Sequence, residues 1–255
     1  MQNGRIKVAK AQNNASTLPE IGKIKTGIKA LSSGGKEYPK AIDYFRPTGN
    51  FANQFTALYG EKPNSLQVAF ISNDIKEVCN EQFESWDKGK RYGWGDGETF
   101  TVFNSTTGKY ENDIPATDKR VKALKWDRTL TLRFVLLKMT GVLGYWSWST
   151  KAKEVSIPSI TKSFDLVMEK SGSIIGFPFN FTIEMKKSYT PGEAKTYPVV
   201  SLIPSFTEEN MEAVRNYIEA GGSMNRLTTK MIESGAINEP RTLEIGTTTV
   251  IEGGK

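Results

Sequence analysis

The chain has 255 residues, 38% hydrophobic and 24% charged, which is long enough for a single core that buries roughly 70% or more of the unfolded surface. With no histidine and a single cysteine, it excludes Ser-His-Asp, Cys-His and HExxH chemistry, a zinc site and an internal disulfide. Lysine and arginine number 34 against 28 acids, and the resulting net charge of +6 and pI near 9.2 suit a protein that meets polyanions or an acidic protein surface.

In chain order, residues 1–17 are polar and basic without periodicity and read as a flexible basic arm. No run of about eighteen apolar residues follows, and the N-terminus lacks the apolar stretch of a secretory signal, so a cytoplasmic protein with no membrane partner is expected. From Leu18, LPEIGKIKTGIKA sets Ile21, Ile24 and Ile28 among glycines and lysines and suggests an irregular, partly extended segment. Tyr38, Ile42 and Phe45, broken by Pro39 and Pro47, suggest a short edge segment. Thr48 is the expected cap of a helix carrying Phe51, Ala52, Phe55, Leu58 and Tyr59, with Gly60 as its stop. Leu66 to Ser72 reads as a buried strand, and Val78 to Trp86 and Glu98 to Phe103 as two more.

Between the last two lies RYGWGDGETF, Arg91 to Phe100. A phosphate loop would open a helix, but the strand-like TFTVF follows instead, and the acids are too few for an EF-hand loop. The stretch is expected to be a hairpin in which Gly93, Gly95 and Gly97 supply positive φ and Asp96-Gly97 makes the turn. Further on, Leu130, Leu132 and Phe134 alternate with Thr129, Thr131 and Arg133 as in a half-buried strand, and Tyr145 to Ser149 forms its hairpin partner. Ile160, Phe164, Val167 and Met168 mark a helix that Pro158 helps to start and Gly172 ends. FPFNFTIEM and TYPVVSLI are expected strands, TEENMEAVRNYIEAGG is an expected capped helix, and MNRLTTKMIESG reads as another. The whole is an α+β protein: a β-rich core of mostly antiparallel strands with two packed helices over 18–205, a helical C-terminal segment over 206–237 and a disordered tail over 238–255.

The chemistry stands out at Tyr145, Trp146, Trp148, Lys151 and Lys153, with Arg128 and Arg133 on the preceding strand and Lys23 and Lys25 near the start. Aromatic faces stack bases while lysines and arginines neutralise phosphates, so these nine residues form the candidate nucleic-acid surface. Alternation competes with that role, because one face of the strand is buried, and either the tryptophan pair or Tyr145 lies outside. Glu84, Asp87, Asp96 and Glu98 would be the ligands of a metal-dependent nuclease, but beside Lys88, Lys90 and Arg91 they read better as a solvated charged tip.

The ordered set LPEIGKIKTG, EYPKAIDYF, LYGEKPNSLQVAF, YGWGDGETF, GYWSWSTKAKEVSI, GSIIGFPFNFTI and VVSLIP resembles the phage recombination directionality factor-like family, from about Leu18 to Pro204. Members of that family partner large serine integrases. The resemblance implies a non-enzymatic accessory protein of the infected bacterial cytoplasm, without a cofactor, which binds a serine integrase or another phage DNA-processing protein and favours excision. The rival reading is a phage single-stranded-DNA-binding or replication accessory protein, in which DNA, preferentially single-stranded, is the partner.

Overall fold

The computed structural model describes residues 18–139, 141–188 and 196–206, together with Met211, Arg215, Asn216 and Glu219. The arm expected over 1–17 and the tail over 238–255 lie outside the described residues. Of the expected C-terminal helices only those last four residues are described; they are helical, and the Met211 side chain is buried in the main core.

The hydrophobic alternation legible at Leu130, Leu132 and Phe134 belongs to β8 (Asp127–Leu136), the strand around which the others are arranged. It pairs with β3 (Ser65–Ala69), with β4 (Cys79–Asp87) and with β9 (Tyr145–Thr150), the expected hairpin partner. Beyond β3 lie β10 (Phe179–Lys187) and β11 (Thr196–Pro204). Beyond β4 come β5 (Lys90–Gly95), β6 (Thr99–Asn104) and β7 (Lys109–Pro115). On the β9 side β1 (Glu20–Leu31) joins in parallel, and β2 (Glu37–Thr48) closes that edge. Among the described strand pairs β1 with β9 is the one parallel pairing; the rest are antiparallel.

The sheet curls so that β2 packs against β10 and β11. In the enclosed core Phe45 stacks on Phe181 at 4.8 Å between ring centroids, and Trp148 meets the same ring edge-on at 5.1 Å. Two helices complete it, as expected. The first, α1 (Ala52–Tyr59), sets Phe55 against Trp146; the other, α4 (Ser156–Ser171), lays Ile157, Ile160, Phe164 and Val167 inward against β11 and ends at Gly172 in the left-handed conformation. Two single-turn helices, α2 (Ile75–Val78) and α3 (Lys119–Lys122), are each capped by an aspartate, Asp74 and Asp118. A second, smaller cluster of Phe100, Val102, Ile114 and Val121 lies under β6 and β7, and Phe83, Leu124 and Trp126 pack against it. Cys79 is a buried filler whose thiol is pushed up to about 12, first by desolvation.

Several expectations are corrected. The segment after Leu18 is a regular twelve-residue strand with one irregularity between Lys25 and Gly27. Its Gly22 is a packing position, not a turn: a Cβ there would lie 2.5 Å from the Trp146 ring and 2.6 Å from the Thr48 carbonyl oxygen. The segment around Pro39 and Pro47 is an edge strand, where prolines are tolerated, but it too runs twelve residues. Thr48 ends that strand and donates its hydroxyl to the Lys23 carbonyl; the helix starts after Phe51 without a side-chain cap. RYGWGDGETF is a hairpin, yet of its three glycines only Gly97 has positive φ. Gly95 stays bare because a Cβ would fall 2.3 Å from the Thr99 carbonyl oxygen and 2.5 Å from Phe100, and Gly93 is hemmed in likewise by Thr101 and Trp126.

Trp146→Ala should cost about 3 to 5 kcal/mol, the usual loss for an emptied aromatic site, and Gly22→Ala about 1 to 3 kcal/mol through overpacking against the same ring. Urea denaturation of both variants checks this; wild-type midpoints would contradict the assignment of Trp146 to the core.

Candidate interaction surfaces

The strand period decides which of the nine candidate residues share a surface. On β9, Trp146 and Trp148 point inward and are 1% and 2% exposed, so neither ring has a face to offer a base. This corrects their assignment as stacking residues; aromatic packing against Phe55 and Phe181 took both rings. Tyr145 is on the outer side and half-buried. Arg128 and Arg133 are an odd number of residues apart and lie on opposite faces of β8. Arg128 extends the inward row past the end of the core and pairs with the Glu81 carboxylate. Arg133 faces outward and donates to the Glu77 carbonyl at 2.7 Å, closing α2. Lys151 is bound to Asp127 at 2.7 Å, Lys153 lies 3.8 Å from Glu154, and Lys23 lies 3.5 Å from Glu20. Because Ser147 is the register partner of both Lys23 and Arg133, the structure does gather Lys23, Lys25, Arg133 and Tyr145 on one outward strip of β1, β8 and β9.

The four acids considered for metal binding do not converge, and two of them are spent elsewhere. Asp96 accepts from the amides of Thr99 at 2.8 Å and Glu98 at 2.9 Å, which hold its carboxyl below the usual range and close the β5–β6 turn. Glu84 accepts from Gln82 at 2.6 Å and from the Trp86 indole at 2.9 Å. Asp87 stands at the opposite end of β5 from Asp96. Among the described residues no group of three or more acidic or cysteine side chains is placed to hold a metal ion.

A surface that the sequence reading passed over lies on the outer face of β4–β7. Trp86 and Tyr110 are 48% and 43% exposed. Between them, the Arg91 guanidinium lies 4.0 Å from the Trp94 ring centroid and 6.0 Å from that of Trp86, and Trp94 meets Tyr110 at 5.0 Å. The Tyr110 hydroxyl donates to the Arg91 carbonyl at 2.7 Å, locking the two hairpins together. Phe103 and Tyr92 continue the cluster. The visible signal was the alternation Tyr92-Gly93-Trp94-Gly95, in which bare glycines on one face imply that the aromatics share the other. Tyr110 lay in a stretch with no hydrophobic period to flag it.

On the opposite face of β7 Arg120 bridges Glu111 at 2.5 Å and Asp118 at 3.0 Å. Asp118 is held well below the usual carboxylate range, at about 2, by the Arg120 side chain and then by the Arg120 amide.

The architecture is a β-rich α+β fold, with a closed aromatic core and polar and aromatic surfaces. Residues 21–205 match the family described as Gp3-like, recombination directionality factor-like, and the chain belongs to it. That places it among phage accessory factors of DNA recombination, as the ordered motifs suggested. No curated protein and no solved structure matches the chain.

Since the depressed Asp118 pKa favours the folded state only while the carboxylate is ionised, its contribution is complete above about pH 4 and is lost as pH falls toward about 2. Asp118→Asn should therefore flatten the fall in melting temperature across that acid range; a fall as steep as the wild type's would show that the Arg120 contact adds nothing. Trp86→Ala, removing an exposed ring, should cost under about 1 kcal/mol by urea denaturation, unlike the core tryptophans.

Proposed function

We propose that this protein acts as a recombination directionality factor: it binds a large serine integrase assembled on DNA and shifts synapsis toward attL and attR, so that excision replaces integration. The observation that carries this reading is the family match, which spans the β-sheet body from β1 to β11. The physical task is a difference in affinity. A ligand moves an equilibrium between two assemblies only as far as it prefers one, and a swing from 1:99 to 99:1 needs a preference of about 10⁴-fold. A stable scaffold with preformed surfaces suits that task, because little ordering cost is deducted from the binding energy. The outward strip of Lys23, Lys25, Arg133 and Tyr145 is one contact we assign to the integrase–DNA complex, its cations facing the phosphates.

The test is recombination in vitro with the purified chain, a serine integrase from the same phage genome, and paired attachment-site substrates. The expected outcome is that attL and attR recombine only when the protein is present, while attP and attB recombination falls. Unchanged yields from both substrate pairs at saturating protein would overturn the reading.

A further inference from the structure

Beyond Lys23, where its pairing with β9 ends, β1 has β2 as its one strand partner among the described residues. The ladder shifts at the root of this ribbon: Ile42 to Phe45 stand against Thr26 alone, and Ile42 and Phe45 are buried there. Five further register pairs, from Gly27 with Ala41 to Leu31 with Glu37, carry the two strands on for about 15 Å. Residues 31–41 are exposed without a break, so this part of the ribbon projects. Its tip is slim, since Ser32, Ser33, Gly34 and Gly35 make the turn and the Ser32 amide donates to the Lys36 carbonyl at 2.9 Å.

Charge is concentrated on it. Residues 25–46 carry Lys25, Lys29, Lys36, Lys40 and Arg46 against Glu37 and Asp43, a net +3 and half of the chain's +6. Lys29 pairs with Glu37 at 2.8 Å, but both side chains are exposed, where a phosphate can displace the carboxylate at little cost. Among the described residues Lys25, Lys36, Lys40 and Arg46 have no acid partner. Lys25 and Arg46 face each other directly in register, and like charges so placed are destabilising until an anion comes between them. Protection of an open strand edge accounts for single lysines, not for two cations set opposite one another.

The register also divides the charge between two faces. Lys29 lies opposite Pro39 and Lys40 opposite Ile28, one step along, so the two lysines point to opposite sides of the ribbon; Tyr38 shares the side of Lys40, and Lys25 follows the alternation of Lys29. A flat acidic protein surface would meet one of these faces. The major groove of a duplex, about 12 Å wide and about 8.5 Å deep, admits a two-stranded ribbon between two phosphate backbones, so cations on each face have a wall to meet. A single strand offers no such pair of walls.

We propose that the β1–β2 ribbon is an arm that enters the major groove of duplex DNA, with Lys29 and Lys40 contacting opposite backbones, Lys36 a phosphate near the tip, and Lys25 and Arg46 phosphates at the root. Contacts of this kind position the protein without reading sequence. Lys25 joins the arm to the outward strip of β1, β8 and β9, so the phosphate-facing surface runs from the sheet to the tip. The inference goes beyond the directionality role, because the arm needs DNA alone and no integrase.

Fluorescence anisotropy of the full chain with a labelled duplex of about 20 base pairs, two turns of B-DNA, tests this without any integrase, so its result is independent of the recombination readout. The expected result is binding that exceeds binding to either separated strand and falls about twentyfold for each doubling of salt, the slope for five phosphates. Lys29→Ala combined with Lys36→Ala and Lys40→Ala should weaken it at least about tenfold and lower the logarithmic salt slope by about three. The melting temperature should stay unchanged, because all three side chains are exposed. Lys162→Ala with Lys186→Ala and Lys187→Ala, which removes the same charge from exposed positions on α4 and β10, should keep affinity and slope near the wild type's. No duplex binding at low salt, single-strand binding as tight as duplex binding, or a control variant that loses as much as the ribbon variant would overturn the proposal. Loss of integrase association in the ribbon variant of a chain that binds no duplex would do the same, and would make the arm a protein contact.

Discussion

The seating of the Trp146 ring on the bare backbone of Gly22 ties the first strand of the chain to its middle. A side chain at Gly22 would displace either the indole or the Thr48 carbonyl, so β1 approaches β9 as closely as it does only because that position is glycine. From this contact the aromatic packing spreads: Trp146 reaches Phe55 on α1, Trp148 reaches Phe181 on β10, and Phe181 receives Phe45 from β2 and Phe134 from β8. Five elements, β2, α1, β8, β9 and β10, are joined through these six rings, and β8 holds the hydrogen-bonding frame around them. The indole nitrogens of Trp146 and Trp148 have no hydrogen-bond partner among the described atoms. Area and ring packing have been favoured over polar satisfaction at the centre of the fold.

Where a period of two or of 3.6 ran unbroken, the sequence was readable. β8, β9, β10, β11 and α4 come from such runs, and so does the burial of Leu130, Leu132 and Phe134. Legibility failed where glycine and proline carried two meanings. Gly22, Gly93 and Gly95 looked like turn residues and are sites of close approach, and Pro39 and Pro47 looked like the breaks of a short edge segment but lie within a twelve-residue edge strand. Local pattern cannot separate these cases, because the neighbour that demands glycine lies far off in sequence.

The candidate surface followed the same logic. Alternation required that either the tryptophans or Tyr145 face out, but only the tertiary arrangement of Phe55 and Phe181 decided between them. Arg128 and Arg133 looked like a pair and are divided by the sheet. Trp86 and Tyr110 belong to one cluster, linked through Arg91 and Trp94, only because two hairpins run side by side, with residues 91 and 110 brought together across β6. Family membership drew instead on the order of many weak motifs, and it survived errors at single positions. Core and exposed rings are well separated, so changes at the β4–β7 end leave the packing around Trp146 untouched.

The parallel pairing of β1 with β9 has a bearing on synthesis. Glu20 finds its register partner at Tyr145, more than a hundred residues downstream, so the ribosome releases β1 and β2 long before their place in the sheet exists. A two-stranded ribbon on its own is at best marginally stable in water, and pairings this remote close slowly. Until β9 has been synthesised, the strand that pairs with β1 on the side away from β2 does not exist, so the native burial of Ile24 beside Trp146 has to follow translation of the β8–β9 hairpin.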